Sequence, residues 1–121
     1  MKYTRVYADA EGESHFEDVE VAMGEAVFAP PAPPLLLSEF ISTSRFRFLK
    51  SPPGWSGDWH PAPRRQFTLY LKGGIEAETS DGEVRRFGPG DVVLVEDTSG
   101  KGHRSRVLGD EEVVLAVVEL E

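Results

Sequence analysis

Residues 54–67 read GWSGDWHPAPRRQF. The stretch carries one His, one amide, two Arg and two Trp, spaced by Gly54, Gly57, Pro61 and Pro63. That much glycine and proline is incompatible with a helix interior, so the chain here is extended or turning. On an extended chain, residues two apart point the same way. His60, Ala62, Gln66, Thr68 and Tyr70 then share one face, provided the Pro61/Pro63 segment stays extended. Phe67, Leu69 and Leu71 share the other.

The flanking sequence continues in the same style. Short runs rich in Val, Phe, Thr, Leu and Tyr are bounded by Gly, Pro, Asp and Ser, which is the pattern of strands. Strands are expected over Phe16–Met23, Arg45–Leu49, Gln66–Lys72, Gly74–Thr79, Glu83–Phe87, Asp91–Val95 and Glu112–Leu120. Ser80-Asp81-Gly82 is a hairpin turn signal. Phe46 and Phe48 fall on one strand face and are expected in the core. Residues 29–34, APPAPP, are expected to form a stiff polyproline connector. About eight to ten short strands with tight turns imply an all-β sandwich or barrel, in which closure hides the strand edges.

Length and composition bound the answer further. The 121 residues suit one domain, which at this size needs no disulfide or structural metal to fold. No cysteine is present, so disulfides, thiolate metal sites and cysteine nucleophiles are excluded. The formal charge of −8 is unevenly spread. Residues 1–30 carry seven acids and two bases, and residues 110–121 carry five acids and no base, while 31–109 hold eleven bases against nine acids. Acidic ends and a mildly basic centre argue against nucleic acid as partner. They leave room for an anionic small molecule near the centre. No run is long enough for a membrane-spanning helix, and no secretory leader pattern is visible, so the expected location is the cytoplasm. Residues 97–102, DTSGKG, lack the glycine spacing and following helix of a phosphate loop, and no serine sits in a nucleophile elbow.

With these residues in view, the chain resembles a small single-domain cupin. The first cupin motif runs G-x5-H-x-H-x3-E-x6-G. Gly54, His60 and Gly73 match it in place, while Ala62 stands at the second His and Gln66 at the Glu. The second motif, G-x5-P-x-G-x2-H, is matched by the turn Phe87–Asp91 and by His103. Glu96 replaces the Pro, and the loop is two residues longer. The resemblance covers roughly residues 40–120. It implies a cupin-type jelly-roll barrel over 40–120, with arm strands in 1–28 and a connector in 29–36. It also implies a homodimer, in which an arm of residues 1–25 either crosses to the neighbour or packs on its own barrel.

The resemblance also implies a site in the lumen. His60, Gln66 and His103 are the expected metal ligands for Fe, Mn, Ni or Zn, with Tyr70, Glu96 and Asp97 as substitutes. A metal-free pocket stands as an equal alternative, since two imidazoles and an amide bring no neutralising charge. In that form His60 acts as general base, and Arg64, by its planar fork, stabilises an oxyanion. Asp97 either orients His103 or caps its turn. Trp55 and Trp59 either wall the pocket or cover the core, and His15 is expected to lie away from the site. The function implied is binding of a small organic molecule, with isomerase- or epimerase-like or oxygenase-like chemistry. A binding or sensing barrel without turnover is the alternative.

Overall fold

The computed structural model describes all of residues 1–121 and contains twelve strands and no α-helix. No helix is therefore long and apolar enough to cross a membrane. Two sheets enclose a common interior. The larger has the order β2-β1-β10-β7-β12-β5, and the smaller β6-β11-β8-β9. Their ranges are β1 Lys2–Ala8, β2 Ser14–Glu20, β5 Thr43–Ser51, β6 Ser56–His60, β7 Gln66–Lys72, β8 Ile75–Thr79, β9 Val84–Phe87, β10 Val92–Val95, β11 His103–Val107 and β12 Val113–Leu120. A separate hairpin pairs β3, Gly24–Ala26, with β4, Leu35–Leu37.

Alternation sorts the apolar residues. Val113, Leu115 and Val117 of β12 are buried and meet Val6, Tyr70, Val93, Ala77, Phe87 and Val107 in one core cluster. The alternate residues of β12 and β7 face outward from the large sheet. β12 is central, flanked by β5 and β7 in antiparallel register, so its long apolar run is buried on both edges as well as on its inner face.

The N-terminal arm packs on its own barrel. β1 adds to the large sheet parallel to β10, and β2 follows antiparallel. One side of the barrel is closed here. Ser14 and Ser80 exchange backbone N–H to hydroxyl bonds of 2.7 Å, and Ser14 Oγ donates to the Gly102 carbonyl at 2.7 Å. Phe16 meets Phe87 edge-on at 6.0 Å.

Two expectations are corrected. Phe46 and Phe48 are 58% and 68% exposed, not core. Their register against Val118 and Ala116 puts them on the outer face, because Val117 and Leu115, which take the inner face, lie opposite Arg47 and Leu49. The proline-rich stretch is not an extended connector. It forms the tip of the β3–β4 hairpin, with a cis bond between Pro30 and Pro31.

His15 ties β2 to the turn between β8 and β9. Its Nε2 lies 2.7 Å from Asp9 Oδ2 and its Nδ1 3.0 Å from Asp81 Oδ2. The bond to Asp9, with that to Asp81, raises the imidazole above its ordinary 6.5 against some desolvation. The same bond holds Asp9 below its ordinary 3.8. Asp81 is also lowered: burial opposes this, but hydrogen bonds from Thr79, the Glu83 N–H and His15 outweigh it.

The signs follow by linkage. Cationic His15 contributes fully below its unfolded value near 6.5, and the contribution is lost as pH rises through the raised folded value. The aspartates contribute above about 3.8 and lose it as pH falls through their depressed values. The latch is therefore complete between about pH 4 and 6.5. Urea unfolding should show stability declining from pH 6.5 to 9 more steeply in the wild type than in His15→Gln. Parallel profiles would show that the latch carries no such linkage.

Candidate functional site

The interior contains a cavity of about 170 Å³, lined by both sheets and mostly apolar. That is room for about five or six waters, or a small organic molecule. His60, Gln66 and His103 all line it, as do Thr68, Tyr70 and Ser105. Residues between 60 and 105 are thus gathered from strands of two sheets.

His60 ends β6 and stands directly opposite His103, the first residue of β11. Their ring centroids are 4.8 Å apart at 55°. Gly102 makes this approach possible. Its φ of +74° is a left-handed conformation, and a Cβ there would run into the His60 carbonyl.

Each ring is fixed by its Nδ1. His60 Nδ1 lies 2.6 Å from the Asp58 carbonyl oxygen, which can only accept, so Nδ1 carries the proton. His103 Nδ1 lies 2.6 Å from Asp97 Oδ2 and donates to that carboxylate. Both Nε2 atoms therefore keep a lone pair in the neutral rings. Asp97 is fully buried, and its Oδ1 has no partner. His103 is thus the only side chain its carboxylate holds. The backbone supports the same loop, with Ala62 N–H donating to the Asp97 carbonyl at 2.9 Å.

The structure separates the other candidates. Ala62 is buried in the cavity wall and offers no ligand. Arg64 does not line the cavity; its side chain is 65% exposed, with Nε 3.9 Å from Glu119. A role in clamping an oxyanion therefore does not fit where Arg64 stands. Arg65 turns the other way and donates to Glu96 at 2.6 Å, and Arg5 donates to the second oxygen of Glu96 at 2.6 Å. Glu96 is thus engaged outside the lumen. Trp55 walls the cavity, whereas Trp59 lies beneath Arg104, whose guanidinium is 5.0 Å from its ring centre. Tyr70 is buried in the cavity wall against Phe87, and burial pushes its phenol far above the ordinary value. Asp97 as the orienting partner of His103 was one of two sequence readings. The tertiary contact decides for it.

The donor set does not fit a resident divalent metal. An ion here would meet two imidazole nitrogens and the Gln66 amide, all neutral. Asp97 is spent on His103 Nδ1 and does not line the cavity, Glu96 is held by two arginines, and Tyr70 is biased toward its protonated form. No group of three His, Cys, Asp or Glu side chains is placed to share an ion. A divalent ion held by neutral donors alone keeps its charge uncompensated where it is buried. The expected ligands His60, Gln66 and His103 thus share the cavity as a set without an anionic donor.

Comparison with known proteins bears on the fold. Residues 47–119 match the family model described as Cupin domain. A search of curated proteins finds no match. Among solved structures, a Cupin 2 conserved barrel domain protein from Salinispora arenicola is 21% identical, covering 84% of this chain and 76% of that one at a TM-score of 0.51. The Cnp3 cupin domain of Schizosaccharomyces pombe is 13% identical, covering 99% and 84%, at 0.49. Protein NMB1881 of Neisseria meningitidis is 20% identical, covering 63% and 72%, at 0.46. Of these three, the first bears on architecture, and at such identities the likeness concerns the fold alone.

The tautomers can be read by nitrogen NMR of the imidazoles. In their neutral forms, His60 and His103 should each show a protonated Nδ1 and a bare Nε2. Asp97→Asn should lose this state at His103 and keep it at His60. An Nε2–H form at His103 in the wild type would break the assigned geometry.

Proposed function

The chain belongs to the cupin family, and from that premise we propose that its barrel takes up a small, neutral organic molecule and moves a proton on it without a metal. The observation that carries this reading is the matched state of the two imidazoles. Each Nδ1 is occupied by an acceptor and each Nε2 is left as a base, in a cavity that both rings line.

The chemistry follows from the parts. A molecule with a carbonyl beside a hydroxyl can place its acidic C–H or O–H at one Nε2. As His103 takes that proton, positive charge grows on a ring whose far nitrogen already donates to the buried Asp97 carboxylate. Asp97 is a positioning residue, acting through His103. His60, more open to solvent, carries the hydroxyl proton to the carbonyl oxygen, and His103 returns its proton to the adjacent carbon, so that carbonyl and hydroxyl exchange places and both rings end neutral, an isomerase-like transfer. The apolar lining excludes competing water from the remainder of the molecule. No Lys or Arg is among the lining residues, so an anionic substrate finds only imidazole for a counter-charge, and a neutral one is favoured.

The same absence favours one second reading, binding without turnover, because no fixed cation stands where an oxyanion would develop. Solvent deuterium separates the two. Small hydroxy ketones that shift the His60 and His103 signals should exchange their α-hydrogen for deuterium in heavy water. His103→Ala should slow this exchange by about 10²-fold or more. Ligands that bind without exchange would leave the barrel as a binding module.

Metal content is a separate test. Protein prepared without a metal-affinity step should carry well under one equivalent of Fe, Mn, Ni or Zn by elemental analysis. One full equivalent, lost in His60→Ala, would replace the proton-transfer reading with a metal centre.

A further inference from the structure

The lumen changes character along its strands. The inward residues of β11 run His103, Ser105, Val107, and β8 sets Thr79, Ala77 and Ile75 opposite them. On β7 the inward order is Gln66, Thr68, Tyr70, with Val117 beside Thr68 and Leu115 beside Tyr70. Gln66 pairs with Val95, two residues before the Asp97 that holds His103, so the amide and the imidazoles share one end. The other end is apolar. Ile75 pairs with Phe87, and Tyr70 stacks on Phe87 at 5.9 Å and 22°. Fourteen of the twenty-one lining residues are hydrophobic, so proton transfer at the two imidazoles uses only part of the space.

Trp55 walls the apolar end from the open side. Its carbonyl accepts from the Val107 N–H at 2.9 Å, in the row of Val107, Ile75 and Phe87. β5 and β6 end their sheets and do not pair with each other. Leu49 and Trp55 line the cavity at that gap and are 39% and 41% exposed, which makes the gap its mouth. The indole packs on bare backbone, since a Cβ on Gly57 would lie 2.7 Å from Trp55 Cη2. Glycine at 57 thus seats the ring against β6. An apolar cavity of about 150 Å³ admits benzene, so the cavity of about 170 Å³ takes one aromatic ring.

We propose that this apolar end is an aryl-binding subsite, and that the molecule taken up is an aromatic α-hydroxy ketone whose ring lies between Trp55 and the Tyr70–Phe87 stack. The fate of the ligand rests on the proton-transfer reading; its shape rests on the lumen alone. A flat ring is favoured over an alkyl chain of equal area because it fixes fewer torsions on entry. The aromatic walls add ring-to-ring attraction to the area buried. No Asp, Glu, Lys or Arg lines the cavity, so the ring carries no ionised group. With its carbonyl and hydroxyl at His60 and His103, one short ligand spans both ends. Trp55 touches the ring and not the reacting atoms, and so determines specificity.

The probes are α-hydroxyacetophenone and hydroxyacetone, which differ by a phenyl ring against a methyl group. Titrations followed by the imidazole signals of His60 and His103 should give the aryl ketone a dissociation constant lower by about tenfold or more. Trp55→Ala removes one wall, and Ala77→Leu fills the space beside it. Each should cut that ratio by about threefold or more, with circular dichroism unchanged. A wild-type ratio below about tenfold overturns the proposal, as does a folded variant of either kind that keeps the ratio. Should both variants unfold, fluorescence decides. In Trp59→Phe, where Trp55 is the sole indole, the aryl ketone should quench the emission, and no quenching overturns the proposal. Exchange of the α-hydrogen in heavy water keeps the two readings apart. Ring preference without exchange removes proton transfer and leaves the subsite, and exchange without ring preference does the reverse.

Discussion

Strand β6 is five residues long and is held by a single neighbour, β11. The candidate site exists because that pairing sets His60 across from His103. The pairing would be weak alone, but β11 is anchored on its other edge by β8 over five residues in continuous register. The loop that delivers β11 is anchored as well. Asp97 accepts from Ala62 through its carbonyl and from His103 through its carboxylate, and Gly102 accepts from Ser14. The two imidazoles are thus placed by backbone that is bonded on several sides.

Asp97 is fully buried beside the candidate site. A buried carboxylate with an unpartnered oxygen is costly, since removing a carboxylate from water is repaid only by strong partners. Here the single strong partner is the imidazole of His103. The same carboxylate could have served a metal had it faced the lumen. It faces the back of the ring instead, and the cavity keeps neutral donors. Charge elsewhere is handled at the surface, in pairs such as Arg104 with Glu78 and Arg106 with Glu76, which contribute little each and leave the lumen free of fixed cations.

Strand positions were readable from local pattern. Gln66–Lys72 was bounded as it stands, and the strands at 75–79, 84–87, 92–95 and 113–120 differ by a residue at most. Alternation also ranked the faces of β7 correctly, with Thr68 and Tyr70 inward. β1, β3, β6 and β11 were given no bounds, because their sequences mix polar and small residues and their strand character comes from pairing, and β4, three leucines, is too short to show a pattern. Phe46 and Phe48 were misplaced for a related reason. Alternation shows that two rings share a face, but whether that face is covered depends on whether β5 is an inner or an edge strand.

The site divides along the same line. The resemblance to the cupin motifs implied that His60, Gln66 and His103 share one lumen, and all three line the cavity; spacing along a strand by itself dictates only which side chains share a face. Three matters were beyond it. The choice between Asp97 as cap and Asp97 as partner of His103 rests on a contact six residues long through a folded loop. The engagement of Glu96 by Arg5 and Arg65 spans 91 and 31 residues. The exposure of Arg64 follows from the path of the turn between β6 and β7. Local order is set by steric and hydrophobic periodicity that each segment carries with it. The partner of a charge is set by which distant segments the closed barrel brings within hydrogen-bond reach, and that distance is a property of the fold alone.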